Sequence, residues 1–197
     1  MITLFSKTTN GSNIWFTSDT HFGHENIIKY TNRPFKTIEE MDTELINRWN
    51  DVVGLNDTVY HLGDFTLGDT DKFAYYIKQL NGNINILSNK WHHDKRWIKD
   101  YHKDFDIKAF VEKFKVPLLL DAMEVLEIDD GSNYGKKIVL CHYPLDEWES
   151  KHYNSIHLHG HIHTQGYRKH GLNKLDVGVD NNDFRPINLA TVLDLLS

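Results

Sequence analysis

Short apolar runs separated by turn residues recur along the chain, and their periods sort them into strands and helices. Residues 2–6 and 14–18 are rich in β-branched and aromatic side chains, and Thr8-Thr9-Asn10-Gly11-Ser12 between them predicts a hairpin. Residues 25–30 predict a short helix ended at Arg33-Pro34-Phe35, because the residue before proline avoids helical angles. Thr37 with Glu40 three residues on is a capping box, and Ile38, Met41, Leu45, Ile46 and Trp49 give the helix that follows one apolar face. A strand at 58–62 precedes a helix capped by Asp69 or Thr70, in which Phe73, Tyr76, Ile77 and Leu80 share a face until Asn81-Gly82. Further strands fall at 83–87, 123–128, 136–141 and 155–158, with 123–128 and 136–141 antiparallel about Asp130-Gly131. Trp97 and Tyr101 make 90–102 an amphipathic helix that packs by its aromatic side, and short elements at 174–179 and 187–196 end the pattern. The alternation predicts an α/β fold in a single domain over residues 1–197.

Composition narrows the class. A hydrophobic content of 40% with 25% charged residues is that of a soluble globular protein, and no apolar run approaches the ~20 residues of a membrane helix. The first residues lack a basic segment followed by an apolar one, so no secretory signal is expected, and the single Cys141 reads as a small buried hydrophobe. A cytoplasmic location follows as the expectation. The formal charge of −6 argues against extended nucleic-acid binding, which rests on phosphate neutralisation by Lys and Arg. Thirteen histidines stand beside 28 acidic residues, a supply of nitrogen and oxygen ligands with almost no thiol.

Those ligands are not scattered. His157-Leu158-His159-Gly160-His161-Ile162-His163 places four histidines in seven residues, and Gly160 lets the chain turn at the strand end so that His161 and His163 project from a rim. Five apolar runs each end in a metal-ligand type: Asp19 with His21, then Asp64, Asn89, His142, and His161 with His163. Sites in α/β proteins gather at the carboxyl ends of strands, where loops converge on a rigid base. His61 is expected within its strand.

In order and type these segments resemble the motifs of the calcineurin-like metallophosphoesterase superfamily, which run D-x-H, G-D, G-N-H-D/E, a lone H and G-H-x-H. The chain shows Asp19-Thr20-His21, Gly63-Asp64, Ser88-Asn89, His142 and Gly160-His161-Ile162-His163, and it looks most like the small stand-alone bacterial and phage members. The resemblance implies an αββα architecture, a two-sheet sandwich flanked by helices. It further implies two divalent transition-metal ions, manganese first with iron or zinc as alternatives. One would be held by Asp19, His21 and His163, the other by Asn89, His142 and His161, with Asp64 bridging. The implied activity is hydrolysis of a small phosphate ester such as a nucleotide, by attack of a hydroxide held between the ions. A metal-binding scaffold with the same fold and little or no catalysis is the alternative.

The chain departs from the motif after Asn89, where it reads Lys90-Trp91-His92-His93-Asp94. Either an insertion moves the leaving-group acid to His93, with Asp94 orienting the imidazole, or His92 reaches back, or the acid is absent; we favour His93. His24 is a candidate for phosphate contact or for a helix cap. Arg33, Arg96 and Arg185 are candidate phosphate clamps. Protein phosphatases of the superfamily carry an arginine after G-D, whereas this chain has Phe65-Thr66-Leu67-Gly68-Asp69, an aromatic and an acid. That segment predicts a preference for phosphodiesters.

Overall fold

The computed structural model describes residues 2–4, 13–87, 92–97, 118–128, 136–163 and 173–197. Those residues form an α/β protein with two mixed sheets of five strands each. The strands are β1 (Ile2–Leu4), β2 (Ile14–Thr17), β3 (Thr58–His61), β4 (Asn83–Leu87), β5 (Leu118–Leu120), β6 (Met123–Ile128), β7 (Lys136–Cys141), β8 (Ile156–His159), β9 (Lys174–Asp176) and β10 (Ile187–Asn188). The first sheet runs β10-β2-β3-β4-β5, parallel apart from the antiparallel β10. The second runs β1-β6-β7-β8-β9, parallel except where β6 meets β7.

Alternation along the strands decides what each face buries. Ile14, Phe16, Tyr60, Leu62 and Leu87 of the first sheet meet Leu126, Ile138, Leu140, Ile156, Leu158 and Leu175 of the second in one cluster, so the sheets pack face to face. The opposite face of the first sheet, with Trp15, Val59, Ile84 and Ile86, lies under three helices, α1 (Glu25–Tyr30), α2 (Ile38–Val52) and α3 (Thr70–Ile77). The helix α4 (Leu189–Leu196) adds Val192 and Leu196 to the inter-sheet cluster. Over the outer face of the second sheet the described residues place no long helix. His157 and His159 point there and are buried, His157 receiving the Leu145 N–H at 3.0 Å and lying against Trp148.

The helix starts follow the local chemistry. Thr37 accepts the Glu40 N–H at 3.2 Å, while the Glu40 carboxylate reaches past the cap to the Lys36 N–H at 2.7 Å, a capping box shifted by one residue. Asp69 caps α3 through the Lys72 N–H at 3.1 Å. The expected hairpin of 2–6 with 14–18 is not formed: β1 pairs in parallel with β6 of the second sheet and β2 lies in the first. Only 92–97 of the expected 90–102 helix is described, with a helical turn at 95–97 whose Trp97 stacks on Phe73 at 4.0 Å. No helix among the described residues is long and apolar enough to cross a membrane.

Candidate metal centre

The ends of β2, β3, β7, β8 and β9 meet at one rim. There the β2–β3 ladder runs on beyond the strands, Asp19 N–H to Gly63 O and His21 N–H to Asp64 O, while Ser18 bridges to Gly178 beyond β9 and Gly160 N–H bonds His142 O. Backbone curvature turns the ligands inward: Asp19, His21, Asp64, His161 and His163 all have φ between 47° and 74°. Asp and His enter this left-handed region more readily than most residues, yet each instance costs of order 1 kcal/mol or more and persists where the surroundings enforce it. Five at one rim mark a functional constraint. Gly160 is required by contact, since a Cβ there would overlap Asp19 Oδ2 and Ser18 Oγ.

Ligand atoms converge in two overlapping sets. His21 Nε2 stands 3.3 Å from His163 Nε2 and 3.8 Å from Asp19 Oδ1, and His163 Nε2 is 3.5 Å from Asp19 Oδ1. Asp64 Oδ2 lies 3.6 Å from both His21 Nε2 and His142 Nε2, and His142 Nε2 lies 3.2 Å from His161 Nδ1. Atoms that share one ion at about 2.1 Å are themselves roughly 3.0–3.4 Å apart, so these separations lie within a few tenths of an ångström of a ligand shell. Asp19 Oδ2 accepts the His161 N–H at 2.9 Å, whereas Oδ1 is buried and has no hydrogen-bond partner. An unsatisfied buried carboxylate oxygen between two imidazoles fits a cation. Asn89 lies outside the described residues.

The electrostatics agree with that fit. Burial, then the charges of Asp19 and Asp94, push the Asp64 carboxyl up to about 8. Burial opposes the ionisation of Asp19, but the neighbouring imidazoles of His142, His163 and His21 and the His161 N–H hold its carboxyl well below the usual range. Burial drives His21 well below the ordinary imidazole value and lowers His142, so both are neutral and have lone pairs to give. Two acids facing one hole with a single negative charge between them is the arrangement that a divalent ion would convert to two.

A second layer fixes these groups, and its acidic members carry no motif in the sequence. Asp180, on the 3₁₀ turn Val179–Asn181, accepts His163 Nδ1–H at 2.8 Å and so leaves Nε2 facing the site. Burial disfavours a charge on His163, but the Asp180 hydrogen bond and the carboxylates of Asp19 and Asp180 raise it overall. Asp176 accepts the Gly178 N–H at 2.8 Å, and burial raises its carboxyl to about 7. His61 ends β3 and is buried; it accepts the Gly63 N–H at 3.2 Å and faces Thr20 Oγ1 at 3.0 Å. Burial lowers its imidazole to about 3.

Three sequence readings need correction. Arg33 is buried and committed: it grips Asp180 with two bonds of 2.9 and 2.8 Å and donates to Thr20 O at 3.0 Å and Asp19 O at 2.7 Å, leaving no fork for phosphate. Asp94 does not orient His93, because its carboxylate accepts the Phe65 and Thr66 N–H groups and the Trp97 indole at 2.8–3.1 Å. Phe65 is a core residue and Asp69 a helix cap, so neither faces a ligand.

The remaining candidates separate by exposure. His92 is buried with its ring 4.2 Å from that of His142. His93 is exposed, its N–H bonds Asp64 Oδ1 at 2.8 Å, and its ring stands 5.2 Å from His21 and 5.6 Å from His24. His24 begins α1 without a side-chain cap bond, and its ring stands 5.5 Å from that of His21 at the same mouth. Arg96 is exposed on the turn after His93, and Arg185 is paired with Asp183.

The chain is 32% identical over 190 residues to the uncharacterized protein MJ1445 of Methanocaldococcus jannaschii, an alignment covering 93% of this chain and 90% of that protein. It belongs to the MJ1445 family. The gene 66 proteins of mycobacteriophages L5 and D29 are each 27% identical to it, over 86% of this chain and 87–88% of theirs. In fold, this member of the MJ1445 family is similar to the crystal structure of AQ665, a protein of unknown function from Aquifex aeolicus, with a TM-score of 0.64 and 24% identity over 94% of this chain and all of that one. No family model matches the chain.

Proposed function

We propose that this member of the MJ1445 family is a dinuclear metal-dependent phosphoesterase that prefers phosphodiesters. The observation that carries the reading is the linked run of Asp19 Oδ1, His21 Nε2, His163 Nε2, Asp64 Oδ2, His142 Nε2 and His161 Nδ1 on one rim, each 3.2–3.8 Å from at least one neighbour in the set. Asp19, His21 and His163 would hold one ion and His142 and His161 the other, with Asp64 available to both; Asn89 joins the second set on the motif resemblance alone. The two-sheet sandwich with ligands at its strand ends fits the metallophosphoesterase architecture that the motifs resemble.

Bound there, the ions supply Lewis acidity toward phosphoryl oxygens and lower the pKa of water. The chain's own residues do the rest. Asp64 takes the His93 backbone N–H through Oδ1, so the residue shared by both ions also sets where the His93 ring hangs over the mouth. From there the imidazole delivers a proton to the leaving oxygen. The His24 ring, 5.6 Å from that of His93, would meet the phosphoryl group, and Arg96 is the candidate clamp with its guanidinium still at the surface. With Arg33 committed to Asp180, no buried guanidinium among the described residues is left for a second phosphate charge, which favours a monoanionic diester.

The test is turnover of bis-(p-nitrophenyl) phosphate, p-nitrophenyl phosphate, cyclic nucleotides and a phosphothreonine peptide by purified protein with Mn²⁺. The diester is expected to lead in kcat/KM, with activity lost to chelator. A folded protein that binds two ions yet turns over none of the four would be a scaffold, and a tenfold advantage for monoester or peptide would overturn the diester preference.

A further inference from the structure

Arg33 stands at the junction of three segments that have little else in common. Its guanidinium lies in the loop after α1, is fully buried, and spends its donors on two targets: the carbonyls of Asp19 and Thr20, and both oxygens of Asp180. Asp180 in turn fixes Nδ1 of His163 at 2.8 Å. One cation therefore holds the turn that carries Asp19 and His21 and, through one carboxylate, the ring of His163. Those three, with the shared Asp64, would hold the first ion. Among the described residues the side chains of the second set have no such charged brace beyond the shared Asp64: the exposed His161 ring meets His142 and Tyr143, and only its backbone N–H is tied to Asp19 Oδ2, at 2.9 Å.

We infer that Arg33 and Asp180 are positioning residues that pre-form the first metal site, so that this chain loads its two ions in order, the Asp19–His21–His163 site tightly and the His142–His161 site weakly. The inference rests on the two-ion reading. The physical ground is preorganisation. A ligand set held in place before binding loses little freedom when the ion arrives, whereas a ligand at an exposed rim must be ordered at that moment. Groups that orient ligating histidines alter metal affinity by ~10–100-fold when removed. Asp180 also has to be charged to do this, since it faces a guanidinium on one side and an imidazole N–H on the other. An amide in its place could keep one acceptor oxygen for both, but it would lose the charge and set its NH2 group against the Arg33 Nε–H.

Calorimetric titration of the chelator-stripped protein with Mn²⁺ should resolve a tight and a weak phase, and His161→Ala should retain only the tight one. In that single-site background Asp180→Asn should weaken the remaining ion by ~10–100-fold, and Arg33→Lys, which keeps the charge but loses the fork, should do so in the same direction. In the parent chain the same changes should bring the two phases together or reverse them while the weak phase stays within about threefold. Circular dichroism and the unfolding temperature of the metal-free variants keep the result readable: if Asp180→Asn lowers the unfolding temperature but leaves the tight phase unchanged, the pair is merely structural and the inference falls. Equal weakening of both phases overturns it as well. If the parent chain binds no ion, it is the two-ion reading that fails.

Discussion

Asp64 is the residue on which most of the site depends. Oδ2 faces His21 and His142 at 3.6 Å and Oδ1 anchors the His93 backbone, so one carboxylate touches both candidate ligand sets and the proposed proton donor. Asp64→Asn should therefore reduce kcat for a diester more than Asp19→Asn or His142→Ala, and should lower the bound Mn²⁺ below two per chain. Metal analysis beside initial rates checks it, and a worse defect in either of the others with both ions retained would remove Asp64 from the shared position. His93→Ala should slow hydrolysis of esters with poor leaving groups by ~10²-fold or more and nitrophenyl esters far less, because a good leaving group departs without a proton. Equal losses on both would assign His93 to positioning instead. The ligand types could be read from the sequence because donors at strand ends recur as short local motifs. Asp180 and Arg33 could not be read this way: their pairing spans 147 positions and exists only after the sheets close, so an arginine that looks like a phosphate clamp in one dimension becomes a brace in three.

At the scale of elements, the packing of the two sheets is tightest where Gly160 passes Asp19 and Ser18, and the rim cannot open to admit a methyl group without moving the Asp19 carboxylate. Gly160→Ala should cost ~1–3 kcal/mol through overpacking and weaken metal binding as well. Thermal unfolding with and without Mn²⁺ tests both, and an unchanged protein would mean that β8 slides freely against β2. Most strands and three of the helices could be read from period and caps, since Thr37 and Asp69 declare their helices within four residues. The hairpin expectation failed for the opposite reason. Thr8 to Ser12 has turn composition, but the partner of β1 is chosen by β6, more than a hundred residues away, and no local signal reports a strand that leaves for the other sheet. The four-histidine run shows both cases at once. Alternation sends His157 and His159 to the buried outer face of the second sheet, where His157 meets Leu145 and Trp148, while His161 and His163 follow the break at Gly160 to the rim.

For the whole molecule, the buried acids and imidazoles set a dependence of stability on pH that metal should reshape. Burial lowers His21, His61, His92 and His142, so below about pH 6.5 the unfolded chain takes up protons that these folded imidazoles refuse, and acid destabilises the fold. Above that point these four are neutral in both states. What remains is opposite in sign. Asp64, held at about 8, and Asp176, at about 7, keep protons that unfolded carboxyls have already lost, and His163 is raised in the same direction. The folded state then binds more protons than the unfolded one, so the stability of the metal-free protein should fall as pH rises from 6.5 to 8. Divalent ions favour the ionised Asp64 and neutral imidazoles, and should remove most of that fall. Unfolding temperatures measured from pH 6 to 8.5 with chelator, and again with saturating Mn²⁺, should therefore diverge steadily, the gain from metal being largest at the alkaline end. Asp64→Asn has no carboxyl to titrate there, so its metal-free curve should be flatter than that of the parent, though not level, because Asp176 and His163 remain. An equally steep curve in Asp64→Asn would place the alkaline loss elsewhere and deny that Asp64 is the acid whose ionisation the metals support.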